Sequence, residues 1–453
     1  MTLKALRKFS FRELKRHLVA FSPASLILLG FSLLILTGAM FLSLPFSVAP
    51  GNVIRFIDAL FTATSAVCVT GLIVVDTGTF FSVWGQIVIL VLIQFGGLGY
   101  MTVATLLALA LRRRIEYRDR LAIRDSFSLD VPGGAVRFVL DVLRYVLFVE
   151  GTGALLLFTA FVQHFPTQRA LFAAIFHAVS AFCNAGFSVF STNLEKFVLN
   201  PLVNLTVIGL IVTGGIGFAV IREIIEHRHI STLHARVVLR TTLSLIFLGT
   251  LVILLLEYQN PKTLGPLPGW GKVMAALFQA VTPRTAGFNT VPTSSLYPAS
   301  ALFVMFLMFV GASPGGTGGG VKTTTLALLL ALVRSVLKGQ EDVSLLHRRV
   351  ARVVVRRSLV IFFLALGLVF FSSFALFATQ KGDPLNFAFE AVSAFGTVGL
   401  SRGVTPSLSD FGKVVIIVTM FLGRVGIFTA LVAMGLARER KEILVYPEER
   451  VLL

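Results

Sequence analysis

Long apolar segments dominate the chain, and charged residues are concentrated in short stretches between them. No charged residue occurs within residues 18–54, 77–111 or 285–321. A helix needs about 20 apolar residues to cross the hydrocarbon core of a bilayer. Because each of these stretches is longer than that, the pattern predicts an all-α polytopic membrane protein.

An internal repeat divides the chain into four. Four segments share an aromatic-x-Ala step that is followed by a glycine nine or ten residues after the phenylalanine. Three of them also contain a Ser-Ala pair, and near-even spacing of this kind indicates repetition. The segments are Phe61-Thr62-Ala63 to Gly71, Phe176-His177-Ala178 to Gly186, Phe278-Gln279-Ala280 to Gly287 and Phe389-Glu390-Ala391 to Gly399.

Each repeat has the same hydropathy profile. The short apolar segment that ends at the glycine is too short to span a bilayer and is typical of a re-entrant element. The unit is therefore a helix, a pore half-helix with a loop, and a second helix, which gives eight transmembrane helices around a central pore. The predicted first helices are 22–47, 136–164, 237–258 and 356–379, and the predicted second helices are 83–111, 200–221, 299–336 and 411–437.

The distribution of Lys and Arg predicts the orientation. Most of them lie in blocks at the two termini and between repeats, and such blocks mark the cytoplasmic side. Both termini are thus expected in the cytoplasm, with the glycine loops entering from outside. The predicted organisation is a cytoplasmic N-terminus (1–17), repeat one (18–124), repeat two (125–229), repeat three with a broken second helix (230–345), repeat four (346–437) and a cytoplasmic tail (438–453).

Composition supports a membrane protein and excludes a soluble one. Hydrophobic residues make up 56% of the 453 residues and charged residues 14%, and the mean hydropathy is +0.88. The net charge of +18 would suggest nucleic-acid binding in a soluble chain, but the positive-inside rule explains it here. The two cysteines, Cys68 and Cys183, form no zinc or disulfide pattern.

The four glycine loops predict an ion selectivity filter. Irregular backbone at membrane depth is tolerated where it lines a wet path, and a filter for potassium uses backbone carbonyls that replace the hydration shell of the ion. Glycine permits the dihedral angles that such a loop needs. Close helix packing around small residues explains one such loop, but not four at repeat spacing. The filter residues are Cys68, Val69, Thr70 and Gly71; Cys183, Asn184, Ala185 and Gly186; Arg284, Thr285, Ala286 and Gly287; and Gly396, Thr397, Val398 and Gly399. Potassium ligation is expected from the last two residues of each loop.

A glycine-rich segment, residues 311–320, interrupts the second helix of repeat three. It is not a phosphate-binding loop, because Val321 separates Gly320 from Lys322 and no strand precedes it. A disordered hinge is one interpretation. The favoured one is a gate in the conduction path, because unpaired backbone at that depth needs a wet or protein-lined site. The predicted gate residues are Gly311, Ser313, Gly315, Gly316, Thr317, Gly318, Gly319, Gly320, Lys322 and Arg424.

Arg424 belongs to the gate because it is a charge inside the apolar segment 411–437. Such residues usually face a cavity, and this one is expected to raise the barrier to cations and to hydrogen-bond the glycine-rich loop. A purely structural cation is the alternative.

Other polar residues are assigned supporting roles. Asp58, His177, Gln279 and Glu390 lie on the half-helices and are expected to orient them, and Arg284 to brace the filter from behind. Residues 112–124 are expected to form an amphipathic segment that docks on a partner or on the anionic inner leaflet.

These loops, the run Gly-Gly-Thr-Gly-Gly-Gly-Val-Lys-Thr-Thr-Thr and Arg424 together resemble the Trk/Ktr/HKT superfamily of potassium transporters. The length is most similar to KtrB-type membrane subunits of bacterial Ktr systems. The resemblance implies a homodimer in the bacterial cell membrane, one pore per protomer, and a cytosolic KtrA-like ring that binds ATP or ADP. It also implies transported K⁺ with frequent dependence on Na⁺, and no enzymatic activity or covalent cofactor. Glycine at position 71 favours potassium, because serine there accompanies sodium passage in some plant relatives.

Three alternatives compete with this interpretation. A proton-coupled cation antiporter would need acidic residues near the membrane midplane, and the second helices contain almost none. A membrane-embedded enzyme would need convergent nucleophile, base or metal ligands, which the scattered histidines do not supply. A sodium-conducting or sodium/potassium-symporting relative of the same superfamily is the closest competitor.

Overall fold

A computed structural model describes residues 23–99, 135–227, 230–433 and 435, and these residues are predominantly helical. Within these described ranges, four 3₁₀ turns lie between helices, at Pro45–Ser47, Glu195–Phe197, Thr293–Ser295 and Thr405–Ser407. Strands β1 (Ser344–Leu345) and β2 (Arg348–Arg349) form an antiparallel hairpin. The helices are α1 (Pro23–Leu42), α2 (Phe56–Val67), α3 (Thr77–Phe80), α4 (Val83–Leu98), α5 (Ala135–Phe161), α6 (Thr167–Phe182), α7 (Pro201–Ile216), α8 (Phe218–His227), α9 (Leu233–Glu257), α10 (Gly269–Val281), α11 (Pro298–Phe309), α12 (Thr323–Leu337), α13 (Arg352–Thr379), α14 (Pro384–Gly396), α15 (Asp410–Val425) and α16 (Ile427–Ala433).

The four long helices α1, α5, α9 and α13 are the predicted first helices of the repeats. Each is apolar and long enough to cross a membrane. The shortest, α1, has 20 residues, and a helix of that length is about 30 Å long, which matches the hydrocarbon thickness. Large apolar side chains such as Leu33, Phe247 and Phe371 are 61%, 73% and 68% exposed on these helices. Such exposure suits contact with lipid.

The four half-helices α2, α6, α10 and α14 lie inside this outer layer, where the sequence predicts re-entrant segments. Their lengths are 12, 16, 13 and 13 residues. The phenylalanine of the repeated aromatic-x-Ala step is completely buried in every one of them, at Phe61, Phe176, Phe278 and Phe389. The repeated aromatic residue therefore anchors each half-helix in the protein core.

The structure corrects the prediction for the second helices of the repeats. Three of these helices were predicted to be continuous, and each of the three is interrupted at a glycine. Helix α4 ends at Leu98, and Gly99 follows with φ of +79°. The predicted helix 200–221 is two helices that meet at Gly217 with a bend of 100°. The predicted helix 411–437 likewise bends by 90° at Gly426. These glycines have positive φ, which ends a right-handed helix.

Because of these breaks, the predicted spans are not eight uninterrupted helices. Among the described residues, four helices can cross a membrane alone, and the two bent pairs raise that number to six. Helices α4, α11 and α12 are shorter apolar helices. The predicted interruption in the second helix of repeat three is confirmed, since α11 ends at Phe309 and α12 begins at Thr323. The amphipathic segment predicted at 112–124, both termini and residues 100–111 lie outside the described residues.

Candidate functional site

The loops that follow the four half-helices share one unusual backbone conformation. Each motif glycine has a positive φ, as does the non-glycine residue two positions before it. A non-glycine residue in this conformation costs roughly 1–2 kcal/mol. Four copies of the same costly conformation indicate that the surrounding structure imposes it on each loop. The non-glycine residues are Val69 (φ 48°), Asn184 (58°), Thr285 (70°) and Thr397 (50°), and the glycines are Gly71 (91°), Gly186 (69°), Gly287 (75°) and Gly399 (91°).

A hydroxyl group near the end of each half-helix holds its loop in this conformation. The Ser-Ala pairs found in the sequence supply three of these hydroxyls, and Thr282 supplies the fourth in the shorter third repeat. The bonds run from the Gly71 N–H to Ser65 Oγ (3.0 Å), from the Gly399 N–H to Ser393 Oγ (3.1 Å), from Ser180 Oγ to the Phe187 carbonyl (2.8 Å) and from Thr282 Oγ1 to the Phe288 carbonyl (2.5 Å).

The four motif glycines form a closed ring that follows chain order. A Cβ atom added to each would lie closer than 3.0 Å to a carbonyl oxygen of the next loop, a distance at which something must shift. The fourth loop closes back on the first, so no position in the ring has room for a side chain. The distances are 2.4 Å from Gly71 to Ala185 O, 2.7 Å from Gly186 to Ala286 O, 2.1 Å from Gly287 to Val398 O and 2.1 Å from Gly399 to Thr70 O.

The ring brings the predicted filter loops together. The eight residues predicted as potassium ligands meet in it, and four of their carbonyl oxygens lie against neighbouring glycines. A cavity of about 330 Å³ opens on the ring and is lined by all four glycines. Its wall also includes Asp76, and serine, threonine and asparagine residues. Polar walls beside a narrow ring of main-chain oxygens suit a cation that exchanges its water shell for carbonyls.

Polar side chains tie the half-helices to the segments beyond the glycines, as predicted for His177 and Glu390. The ring nitrogens of His177 lie 2.7 Å from the Ala173 carbonyl oxygen and 2.8 Å from Ser188 Oγ. Glu390 accepts hydrogen bonds from Ser401 Oγ (2.9 Å) and from Thr405 Oγ1. Gln279 differs, because its buried amide makes no hydrogen bond within the described structure.

Arg284 lies behind the ring rather than in its opening. Its side chain is buried, and its guanidinium donates to Thr242 Oγ1 on α9 at 3.3 Å. This contact links the third loop to an outer helix, in agreement with a brace behind the filter.

Asp58 forms a buried ion pair that the sequence did not reveal. Lys413 Nζ on α15 lies 2.5 Å from Asp58 Oδ1, and the two side chains are 5% and 13% exposed. Arg55, at the start of the same half-helix, also donates to Asp58 at 3.0 Å. The pair therefore joins the half-helix of repeat one to the second helix of repeat four.

We expect Asp58→Asn to lower stability more than Lys413→Met does. Asp58→Asn leaves the Lys413 ammonium buried without a counter-charge, which costs about 3–5 kcal/mol, whereas Lys413→Met leaves Asp58 its contact with Arg55. The double variant should recover most of the loss, since replacing both partners removes the uncompensated charge. Thermal unfolding in detergent measures this, and additive losses in the double variant would contradict the pairing.

The glycine-rich segment lies within the loop that connects α11 to α12, residues 310–322. This glycine-rich loop lies directly against two of the filter loops. The Gly319 N–H donates to Thr397 Oγ1 at 2.9 Å, and a Cβ on Gly318 would lie 2.0 Å from Thr285 Oγ1. Both threonines occupy the positive-φ position of their loops. The loop is thus in contact with the ring of glycine loops.

Hydrogen bonds fix this loop on its other sides. The Ser313 and Thr317 N–H groups donate to the carbonyls of Gly215 (3.0 Å) and Gly214 (3.1 Å) at the end of α7. Where the two ends of the loop meet, the Gly311 N–H donates to the Val321 carbonyl (2.8 Å). Lys322 Nζ donates to the Gly318 carbonyl at 2.7 Å. These contacts argue against a free hinge.

Arg424 joins the glycine-rich loop to repeat one. Its guanidinium donates to the carbonyl of Thr317 in the loop and to the carbonyls of Gly96 and Gly97 at the end of α4. The predicted hydrogen bond to the loop is therefore present.

Glu150 and Gln94 lie behind the second filter loop, and neither residue was predicted from the sequence. The Cys183 thiol donates to Glu150 Oε1 (3.8 Å) and lies 3.7 Å from Gln94 Oε1, while Gln94 Nε2 donates to Glu150 Oε2 (3.2 Å). A carboxyl group within the apolar helix α5 was the available signal, because such residues in membranes usually have a partner or a function.

We expect Glu150→Ala to destabilise the protein and to weaken its preference for rubidium over sodium. Glu150→Gln should keep both the stability and the ion preference of the unmodified protein. Alanine leaves Gln94 without its partner carboxylate and the Cys183 thiol less constrained, at about 1–3 kcal/mol. Glutamine keeps an acceptor and adds a donor for Gln94. Thermal unfolding and ion-competition uptake measure the two effects, and equal behaviour of both variants would contradict this role.

Comparisons with known proteins agree with this geometry. A family model described as TrkH, cation transport protein, matches residues 17–443. Ktr system potassium uptake protein B of Bacillus subtilis is 40% identical over 96% of this chain and 97% of its own. Potassium/sodium uptake protein NtpJ of Enterococcus hirae is 37% identical over 97% and 99%. The crystal structure of the potassium transporter TrkH from Vibrio parahaemolyticus shares the fold, with a TM-score of 0.73 at 21% identity over 90% of this chain and 83% of that chain.

Proposed function

Because the chain belongs to the TrkH family of cation transport proteins, we propose that it carries potassium ions into the cell through the ring of its four glycine loops. Members of this family are cation transporters and not enzymes. The names of two relatives, the Ktr system potassium uptake proteins B of Bacillus subtilis and Vibrio alginolyticus, support potassium as the ion.

One observation carries the proposal: each motif glycine lies against a carbonyl oxygen of the next loop, and the fourth loop closes on the first. A dehydrated cation needs oxygen ligands on all sides to replace its water. Main-chain oxygens from Thr70, Gly71, Ala185, Gly186, Ala286, Gly287, Val398 and Gly399 supply them in this proposal. One chain then forms a complete filter, with its four repeats in place of four subunits.

We propose that the glycine-rich loop and Arg424 form the gate below this filter. The loop contacts Thr285 and Thr397, and Arg424 holds it through the Thr317 carbonyl. A fixed positive charge at this level also repels cations. Opening then requires the loop to leave these contacts, with the carbonyls at the end of α7 acting as its resting support.

The proposal extends to assembly and location. The relatives are parts of Ktr systems by name, and we propose a homodimer in the bacterial inner membrane that is regulated by a cytosolic KtrA-like ring binding ATP or ADP. The four repeats with the boundaries given above, and cytoplasmic termini, complete this arrangement.

Sodium is the second candidate ion, because the name of the Enterococcus hirae relative includes both ions. All four ring positions are glycine, which favours potassium in this proposal. Sodium then acts as a coupled or activating ion. A proton-coupled antiporter is disfavoured, since the acidic residues Asp58, Glu150 and Glu390 are engaged by neighbouring side chains.

Uptake of radioactive rubidium into bacteria that lack their own potassium systems tests the function. We expect the chain, expressed with a Ktr-type regulatory subunit, to restore uptake that excess potassium blocks and that excess sodium does not block. Measurement with and without sodium separates the two ions. Uptake blocked equally by both ions, or proton movement coupled to ion flux, would contradict the proposal.

A further inference from the structure

A groove between α9, α12 and the β1–β2 hairpin combines apolar walls with a cluster of basic groups at one end. The cavity has a volume of about 800 Å³. Arg240, Arg334, Lys338 and His347 line it, together with Leu245, Leu248, Phe306, Leu326 and Leu330. It is separate from the ring of glycine loops, and nothing in the transport mechanism uses it.

The basic and apolar residues occur at matching levels on the two antiparallel helices. On α12, Leu326, Leu330 and Arg334 recur every four residues, which places them on one face, and Lys338 follows at the same spacing directly after the helix. On α9 the order reverses, with Arg240 followed by Ser244 and Leu248 at the same spacing. Eight residues of helix span about 12 Å, so Leu248 lies that far above Arg240. The groove therefore has one charged end and one apolar end.

Within the part of the chain that the structure describes, the cations at the charged end have no counter-ions. No described carboxylate forms an ion pair with Arg240, Arg334 or Lys338. The nearby acid Asp342 is occupied by Arg349 (2.9 Å) and Arg352 (3.4 Å). Ser335 Oγ donates to the carbonyls of Gln340 and Asp342, which holds the connection to the hairpin in place. The cluster is thus a built concentration of positive charge.

Apolar exposure alone would only indicate lipid contact, which is ordinary for a membrane helix. Leu248, Phe306 and Leu330 are 48%, 48% and 60% exposed. What distinguishes this groove is that its apolar wall leads to the basic cluster. The basic end lies in the segments 222–240 and 334–357, whose Lys and Arg mark the side predicted to be cytoplasmic. The cytoplasmic leaflet is the one that presents anionic lipid headgroups to such clusters.

We propose that this groove binds an anionic phospholipid of the inner leaflet. The phosphate group lies among Arg240, Arg334 and Lys338, and an acyl chain follows Leu326, Leu330 and Leu248 into the bilayer. A bound lipid there bridges the first helix of repeat three, its broken second helix and the hairpin that leads to repeat four. The site does not depend on which ion the protein carries.

Native mass spectrometry of the purified full-length protein in neutral detergent tests the proposal, with phosphatidylglycerol as the probe and phosphatidylcholine of the same chains as the reference. We expect retained phosphatidylglycerol, and we expect the variant Arg240→Gln/Arg334→Gln/Lys338→Gln to bind it about 100-fold more weakly, at about fivefold per basic residue. Inorganic phosphate should compete poorly, because it lacks the acyl chains.

A matched control removes the same charge from exposed basic residues that do not line the groove, Arg236→Gln/Arg348→Gln/Arg356→Gln. This variant should keep phosphatidylglycerol binding, and both variants should unfold at the temperature of the unmodified protein. Equal loss in both variants, or equal retention of the two lipids, would overturn the site. Conversion of a dimer to a monomer by the groove variant, with lipid binding unchanged, would make the groove an interface between copies and would also overturn it. Rubidium uptake is measured separately, so failure here leaves the transport proposal standing.

Discussion

Gly399→Ala should reduce rubidium uptake by more than about tenfold and weaken its preference over sodium. The added Cβ would lie 2.1 Å from the Thr70 carbonyl oxygen and 2.9 Å from Gly71 Cα, and it would occupy a residue with φ of +91°. Since backbone atoms of the first loop cannot yield as a side chain can, the ring must open or distort. Uptake with competing potassium or sodium, normalised to the amount of protein in the membrane, measures both effects.

Substitutions at the other motif glycines should reduce uptake according to how closely the added Cβ approaches a carbonyl oxygen. Gly71→Ser and Gly287→Ala should behave like Gly399→Ala, because their added Cβ atoms would lie 2.4 and 2.1 Å from carbonyl oxygens. Gly186→Ala should be milder at 2.7 Å. Gly209 on α7 and Gly367 on α13 have open space around them and serve as controls. If alanine at Gly209 or Gly367 is as damaging as at Gly399, the loss reflects membrane insertion and not the filter.

Arg424→Gln should raise rubidium uptake several-fold in cells that express the protein at normal levels. The substitution removes the positive charge and the guanidinium group whose hydrogen bonds join the Thr317 carbonyl to the carbonyls of Gly96 and Gly97. The glycine-rich loop then loses its attachment to repeat one and leaves the filter more often. Initial uptake rates at saturating rubidium measure the change.

Deletion of residues 315–320 provides an independent approach to the same gate. It removes the contacts of Gly318 and Gly319 with the threonines of the filter loops, so uptake should rise here as well. Unchanged uptake in both variants, with normal amounts of folded protein, would leave the loop as a hinge. Loss of folded protein after Arg424→Gln, with a raised rate in the deletion variant, would make Arg424 a structural cation only.

The repeat pattern was sufficient to predict the half-helices and the meeting of their loops. Phe61 and its three equivalents recur because each must fill the same buried position, and the Ser-Ala pairs recur because a hydroxyl holds each loop. The family was identified from these loops, the glycine-rich segment and Arg424. Identical local requirements repeated four times leave a signal that a single sequence can show.

The breaks in the second helices were not predicted, because their cause is tertiary. Glycine is frequent in transmembrane helices, so Gly217 and Gly426 did not by themselves indicate a bend. At Gly217 the added Cβ would lie 2.4 Å from the Pro314 carbonyl, a contact made by a loop about a hundred residues away. The partner of Asp58 was hidden for the same reason, since Lys413 comes from another repeat. The partner of Cys183 lies in the same repeat, but Glu150 is 33 residues away on a different helix.

The ring of main-chain oxygens is the central claim, and anomalous diffraction from crystals grown in rubidium tests it most directly. Rubidium substitutes for potassium and scatters strongly enough to be located without reference to the protein. Anomalous peaks are expected on the axis enclosed by Gly71, Gly186, Gly287 and Gly399, and these peaks should be lost in Gly399→Ala crystals. Peaks found only at acidic side chains away from that axis would contradict it.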